Sequence, residues 1–599
     1  MNSTSPFDDL PSPLDLAEAV GNVSAQSQAM LKKFFDGHST QELSELDPAG
    51  ILPAFAAFTD SLSRDPARLL EAQFNAWTTY MQIWQSTAQR LFGMEVQSVV
   101  PTPKDDRRFK SDDWEKNPFF DYIKQTYLAS AGLLQGLVAD TDGIDAKTAK
   151  KLEFYTKQYI DAIAPTNFAL TNPQVLHATV ESGGRNLLDG LKNFLADIDP
   201  KDGKLKTRMV DTSAFELGKN VAISPGKIVF QNALMQLIQY TPSTAQVYRR
   251  PLLIIPPWIN KFYILDLQPR NSFIKWAVDQ GLTVFVISWV NPDESLAAMD
   301  FDDYVRQGPL AALDAIEAAT GERSMNVIGY CLGGTLLGAT LALMQARGDE
   351  RIHAATFFTA MLDFAEPGDL GVFIDEGQLQ GIEQTMQERG YLDGAEMATT
   401  FNLLRANDLI WSFVVNNYLL GKQPMAFDLL YWNADSTRMP ARMHSTYLRK
   451  MYLENQFCKP NGMTVDGTPI DLRQVRIPTC FVSAAEDHIA PWKSTYAGAR
   501  LFQGPVKFLL GKAGHVAGII NPPGPRQYGY FTGPTPREMS ADEWLSKAEA
   551  HEASWWNEWS QWIGELSGDK VPARLPGAGK LAVIEDAPGA YVARRLGAA

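Results

Sequence analysis

The chain has 599 residues, with 54 Lys plus Arg against 69 Asp plus Glu, a net charge of −15, 45% hydrophobic and 21% charged residues. This composition excludes a disordered or collagen-like chain and fits a soluble globular enzyme. The acidic balance, with no long basic run, argues against nucleic acid as a partner.

At about 150 residues per domain the length sets a prior of about four units, fewer where α/β domains run long. Cys331, Cys458 and Cys480 have no C-x-x-C spacing, so neither a disulfide framework nor a zinc knuckle is expected, and a reducing cytoplasm fits best. Residues 1–16 carry no basic residue ahead of an apolar core, so a secretory signal is not expected.

In chain order, residues 1–64, rich in Ser, Pro and Asp, read as a flexible N-terminal arm. A helical N-terminal domain follows over 65–200. Its first helix carries Phe74, Trp77, Met81, Trp84 and Leu91 on one stripe, read as core packing, and is ended by Gly93. From Leu252 the texture changes to short apolar runs rich in β-branched and aromatic residues. Strands are predicted at 252–255, 283–289, 325–329, 353–359, 479–484 and 506–510, with helices at 272–280 and 304–320. Such alternation predicts an α/β fold with a mostly parallel sheet covered on both faces. Residues 201–361 form the first part of this core and 475–570 the second. Between them 362–474 is too long for a loop and reads as a cap. Residues 571–599 read as a tail. The uncharged stretch 327–344 reaches the minimum length of a membrane span, but its four glycines fit a strand, a tight turn and a helix instead, so no transmembrane segment is expected.

That turn carries the chemistry. Met325-Asn326-Val327-Ile328-Gly329-Tyr330-Cys331-Leu332-Gly333-Gly334 is an apolar strand entering G-x-C-x-G-G, followed by a helical run. A nucleophile on a sharp strand-to-helix turn needs glycines beside it so that strand and helix can approach. The helix N-terminus favours a negatively charged sulfur, the nucleophilic form. The acid and the histidine of a triad should follow later strands in that order. Asp487 follows the strand at 479–484, and His515 follows the strand at 506–510 in a glycine-flanked loop. Glu486 is a lesser candidate acid, Asp363 a positional runner-up, and His488 a neighbour that shapes the site. His38, His177, His353, His444 and His551 have no matching acid or glycine loop. The oxyanion hole needs the N–H of Leu332 and a second from the loop beginning Pro256-Pro257, where only Trp258 or Ile259 can donate. No metal site is expected.

These segments resemble class I polyhydroxyalkanoate synthases, or poly(3-hydroxybutyrate) polymerases, of the α/β-hydrolase superfamily. The resemblance rests on Gly329-Tyr330-Cys331-Leu332-Gly333-Gly334, on the run from Pro256 to Leu267, and on Ser288-Trp289-Val290-Asn291-Pro292. It extends to Asp106-Arg107-Arg108-Phe109 and Pro165-Thr166-Asn167-Phe168 in the helical domain. The cap contributes Tyr431-Trp432-Asn433-Ala434-Asp435-Ser436-Thr437, and the late core Gly514-His515-Val516-Ala517-Gly518. It spans roughly residues 105–566.

The resemblance implies an acyltransferase that polymerises a short-chain (R)-3-hydroxyacyl-CoA, with 3-hydroxybutyryl-CoA first, and releases CoA. Cys331 would carry the acyl group, His515 deprotonate it, and Asp487 orient His515 or help activate the 3-hydroxyl. CoA is substrate and product, and no cofactor is implied. The implied partners are the growing polyester chain with its granule surface in the cytoplasm and a second copy in a homodimer. Arg438, Arg442, Arg449 and Lys450 are candidate cap contacts for CoA, though a solvated helix face is the plainer reading. Trp544, Trp555, Trp559 and Trp562 share one helical side, read as packing against the sheet or, more boldly, as contact with a granule. The rivals are a cysteine thioesterase or depolymerase of the same fold, and a noncatalytic scaffold.

Overall fold

The computed structural model describes residues 51–594 except Asp105, Asp142, Lys201, Asp202 and Arg526. It divides into two compact units, with the boundary at Val180/Glu181. Most of the expected arm lies outside the described residues, but its end does not: Leu52–Arg64 is a helix.

The first unit is helical. Asp65 caps the long helix Pro66–Leu91 by accepting from the Arg68 N–H, and Pro66 supplies its pre-set first turn. The apolar stripe on this helix is not core packing. Phe74, Trp77, Met81, Trp84 and Leu91 are exposed, and the buried positions are Ile83 and Ser86. Spacing located a face but could not say which face meets Pro118–Ala139. That contact is polar as well as apolar, with Tyr80 Oη against Ser130 Oγ at 2.9 Å and Arg90 paired to buried Asp121 at 2.9 Å. Two sequence motifs meet here. Arg108 binds Asp106, the Tyr127 hydroxyl and Asp161, while Asn167 Nδ2 donates to the Asp161 carbonyl at 2.8 Å.

The second unit is built on an eleven-stranded sheet. In chain order its strands are β1 Gly226–Gln231, β2 Met235–Tyr240, β3 Leu252–Ile255, β4 Val284–Trp289, β5 Met325–Tyr330 and β6 Ile352–Phe358. They continue as β7 Thr479–Ala484, β8 Val506–Gly511, β9 Tyr530–Thr532, β10 Glu549–His551 and β11 Glu585–Asp586. The spatial order is β10-β9-β8-β7-β6-β5-β3-β4-β2-β1-β11, parallel from β8 to β4 and antiparallel at both flanks. The parallel strands read as unbroken apolar runs because both faces are covered: Leu253 and Ile255 enter one core, Leu252 and Ile254 the other. All six strands read from the sequence are present within a residue or two. The flanking strands were missed because they are short or mix lysine and glutamine with their apolar residues.

Two boundaries differ from the sequence reading. Helix Arg185–Ala196 belongs to the second unit, because Gly190 lets it lie on the cap: a Cβ there would stand 1.8 Å from the Tyr418 carbonyl oxygen. Asn193 Nδ2 donates to Asn417 O at 3.0 Å and the Tyr418 hydroxyl to Asp197 Oδ2 at 2.8 Å, closing the same contact. The tail is part of the sheet. β11 pairs with β1, and Tyr591 and Val592 are buried. The interval between β6 and β7, read as the cap, carries its own helices, among them Glu376–Arg389, Gly394–Leu404 and Ala441–Tyr447. Among the described residues no helix is long and apolar enough to cross a membrane.

The late tryptophans do not share one helix. Trp544 lies on Ala541–Lys547, separated by β10 from Trp555–Glu565. Trp555, Trp556 and Trp559 are fully buried and pack on Phe273, so they are core and not an exposed apolar surface.

Candidate active site

β5 runs directly into Cys331 and then into helix Leu332–Arg347. Cys331 adopts φ 51°, ψ −119°, a left-handed conformation rare for a residue with a side chain. It is held there because its N–H donates to Phe358 O on the adjacent β6 at 2.8 Å. The three glycines explain how helix and strand can cross. A Cβ on Gly329 would lie 2.5 Å from Gly334 Cα, one on Gly334 2.3 Å from Ala360 Cβ, and one on Gly333 2.0 Å from Ile255 O. The last contact also presses the end of β3, and the loop leaving it, against the start of the helix. Cys331 is only partly buried.

Asp487 lies just past β7. Its Oδ1 accepts from the N–H groups of Ile489 at 2.9 Å and Ala490 at 2.8 Å, which leaves Oδ2 for His515 Nδ1 at 2.7 Å. His515 sits in the loop after β8. That loop is tied to the Asp487 turn by Ala485 N–H to Gly511 O at 2.8 Å and Glu486 N–H to Ala513 O at 3.0 Å. The Cys331 sulfur lies near enough to the imidazole to act on its charge. The Tyr330 ring stacks on it at 5.8 Å. Burial opposes a charge on His515, but the Asp487 carboxylate and the Cys331 sulfur outweigh it and push the imidazole up to about 10. The structure thus brings Cys331, His515 and Asp487 together at one place.

Of the oxyanion candidates, Leu332 is the first helical residue, whose N–H has no acceptor within its own helix. Trp258 is buried, with its carbonyl fixed by the Thr437 hydroxyl at 2.8 Å; Ile259 packs partly buried beside it. Asp363 accepts from Asn455 Nδ2 at 2.8 Å and from the Ala365 N–H, a local turn. His488 is pushed down to about 4 by burial, the charge of Asp487 opposing this, so it is a neutral neighbour. Arg449 is bonded to Glu383 and Glu376, Arg442 to Asp300, and Lys450 to Glu454, so their charges are already compensated. Arg438 lies over the Tyr391 ring at 4.3 Å. Cys480 is pushed up to about 12 by burial inside β7, an inert thiol. No cluster of three or more metal-ligating side chains occurs among the described residues.

Sequence reading missed the cap tyrosines Tyr447 and Tyr452, whose rings meet edge to face at 5.4 Å and lie within electrostatic range of Cys331. Burial, with the nearby sulfur adding to it, raises both phenols, so both stay neutral donors. No spacing signal connects positions 447 and 452 to 331; only the folding of the cap does.

A strand-to-helix turn that carries a cysteine, with an aspartate and a histidine after later strands of a mostly parallel sheet, defines an α/β-hydrolase-fold protein. The family described as "alpha/beta hydrolase fold" matches residues 250–522, and "Poly-beta-hydroxybutyrate polymerase (PhaC) N-terminus" matches residues 105–277. The poly(3-hydroxyalkanoate) polymerase subunit PhaC of Rhizobium meliloti is 47% identical over 97% of this chain and 94% of that protein. The poly(3-hydroxyalkanoate) polymerase of Methylorubrum extorquens is 47% identical over 96% of both. The PhaC subunit of Cupriavidus necator is 40% identical over 88% of both. The chain belongs to the poly(3-hydroxyalkanoate) polymerase (PhaC) family.

Proposed function

We propose that this protein is a polyester synthase that polymerises short-chain (R)-3-hydroxyacyl-CoA, 3-hydroxybutyryl-CoA first, with release of CoA. The observation that carries the reading is a cysteine on the strand-to-helix turn, close to an imidazole that Asp487 holds. The Cys331 sulfur attacks the thioester carbonyl, the negative oxygen meets the N–H of Leu332 and of Trp258 or Ile259, and the CoA sulfur leaves with the proton held by His515. The acyl group is then a thioester on Cys331. Because a thiolate is a good leaving group, this thioester remains reactive toward a hydroxyl, where a serine ester would be sluggish. A chain hydroxyl attacks it, the C–O bond forms as the C–S bond breaks, and His515 moves the hydroxyl proton to the sulfur. Asp487 orients His515 throughout.

Water must be kept from the acyl thioester, since hydrolysis ends the chain. Tyr447, buried within electrostatic range of Cys331 with Phe364 and Tyr452 packed on its ring, would serve that exclusion. The growing polyester and its granule surface in the cytoplasm are the proposed partners, and a homodimer the proposed assembly, read from the family resemblance alone. Purified protein given 3-hydroxybutyryl-CoA should release CoA and form insoluble polyester, and Cys331→Ala should do neither. Free 3-hydroxybutyrate in place of polymer would make the protein a hydrolase.

A further inference from the structure

Lys261 belongs to the loop that leaves β3 and carries Trp258 and Ile259. Its side chain is buried, at 4% exposure for the residue, a place lysine rarely takes without a partner. Nζ donates to Val592 O and Arg594 O, each at 2.6 Å, and lies 3.3 Å from Asp435 Oδ1. One carboxylate and two carbonyls therefore surround the ammonium, the kind of full satisfaction that a buried charge requires.

The same loop is gripped from the cap at three further points. Trp432 Nε1 donates to the Lys261 carbonyl at 2.7 Å, the Tyr263 hydroxyl to Asp435 Oδ2 at 2.9 Å, and the Thr437 hydroxyl to the Trp258 carbonyl at 2.8 Å. Residues 592–594 reach this place because β11 pairs with β1 and Tyr591 is then pinned. Its N–H donates to Gln236 Oε1 at 3.0 Å and its hydroxyl to Asn232 O at 2.7 Å. Three stretches of chain far apart in sequence thus converge on one ammonium group.

We propose that Lys261 is a positioning residue for acyl transfer: by holding Asp435 and the carbonyls of Val592 and Arg594 together, it fixes the loop whose Trp258 or Ile259 N–H completes the oxyanion hole. This rests on the reading of the preceding subsection. An oxyanion donor acts only where the developing charge appears, and a displacement of about 1 Å costs roughly a hundredfold in rate.

The test separates the oxyanion from the sulfur. Alkylation of Cys331 by iodoacetamide needs the sulfur and access to it but forms no oxyanion, whereas CoA release from 3-hydroxybutyryl-CoA needs both. Two variants are compared with the full-length parent. Lys261→Met with Asp435→Asn removes both charges, so that no carboxylate is left buried alone, and a chain shortened after Ala587 keeps β11 and Lys261 but removes the two carbonyls. We expect kcat for CoA release to fall about 30-fold or more in each, with KM within about threefold and alkylation within about twofold of the parent. The inference is overturned if CoA release stays within about threefold of the parent, or if alkylation falls in step with it, which would mark a merely structural role. If the parent itself releases no CoA, the polymerase reading fails and this inference fails with it, an outcome distinct from variants that match an active parent.

Discussion

Asp487 divides its two oxygens between tasks: Oδ1 takes two backbone N–H groups and Oδ2 takes His515. Asp487→Asn keeps the shape but removes the anion, so CoA release should fall by roughly 10²–10⁴-fold, as is common when an acid-base pair loses its orienting carboxylate. The same change has a pH signature. His515 is raised from 6.5 to about 10 in the folded protein. A raised imidazole contributes stability that is fully present below its unfolded value and is lost as pH rises through the folded one. The melting temperature of the parent should therefore decline from pH 6.5 toward pH 10, and the decline should be shallower in Asp487→Asn. Thermal scans at three or four pH values decide it, and equal slopes would remove Asp487 as the cause.

The strand-to-helix crossing at Cys331 and the helices of the first unit set opposite demands on glycine. On Gly333 an added methyl meets backbone on two sides, Ile255 O at 2.0 Å and Pro256 O at 2.8 Å. Gly333→Ala should cost about 1–3 kcal/mol or more and displace Cys331 from its turn. Gly132, inside helix Pro118–Ala139, has nothing within 4 Å of that position among the described residues, so Gly132→Ala should stabilise by about 0.5–1 kcal/mol. Denaturant titration of both variants checks the contrast, which fails if their signs agree.

This contrast also shows what the sequence made legible. Cys331, Asp487 and His515 could be read because each follows a strand at a turn marked by glycine or proline, and turn chemistry is local. The parallel strands could be read because burial on both faces leaves an unbroken apolar run. The exposed stripe of helix Pro66–Leu91, the Tyr447–Tyr452 pair and β11 could not, because each depends on which distant segment lies alongside.

Across the whole molecule, acid should act through histidines that folding keeps neutral. His444, buried in the cap, and His488 are both pushed down to about 4 by burial. The unfolded chain takes up these protons near the ordinary 6.5 and the folded chain only near 4, so stability should fall as pH drops through that window. His444→Gln, which cannot charge, should flatten part of that fall in melting temperature, and a curve parallel to the parent's would assign the acid sensitivity elsewhere. The packing of the late tryptophans adds a further consequence. Trp555 Nε1 donates to Gly518 O at 2.7 Å and Trp556 Nε1 to Ile519 O at 2.8 Å, so two indoles are wired to the loop that carries His515. Their ultraviolet emission is thereby a built-in optical gauge: any step of turnover that shifts this loop should change the colour or yield of the light, with no dye attached.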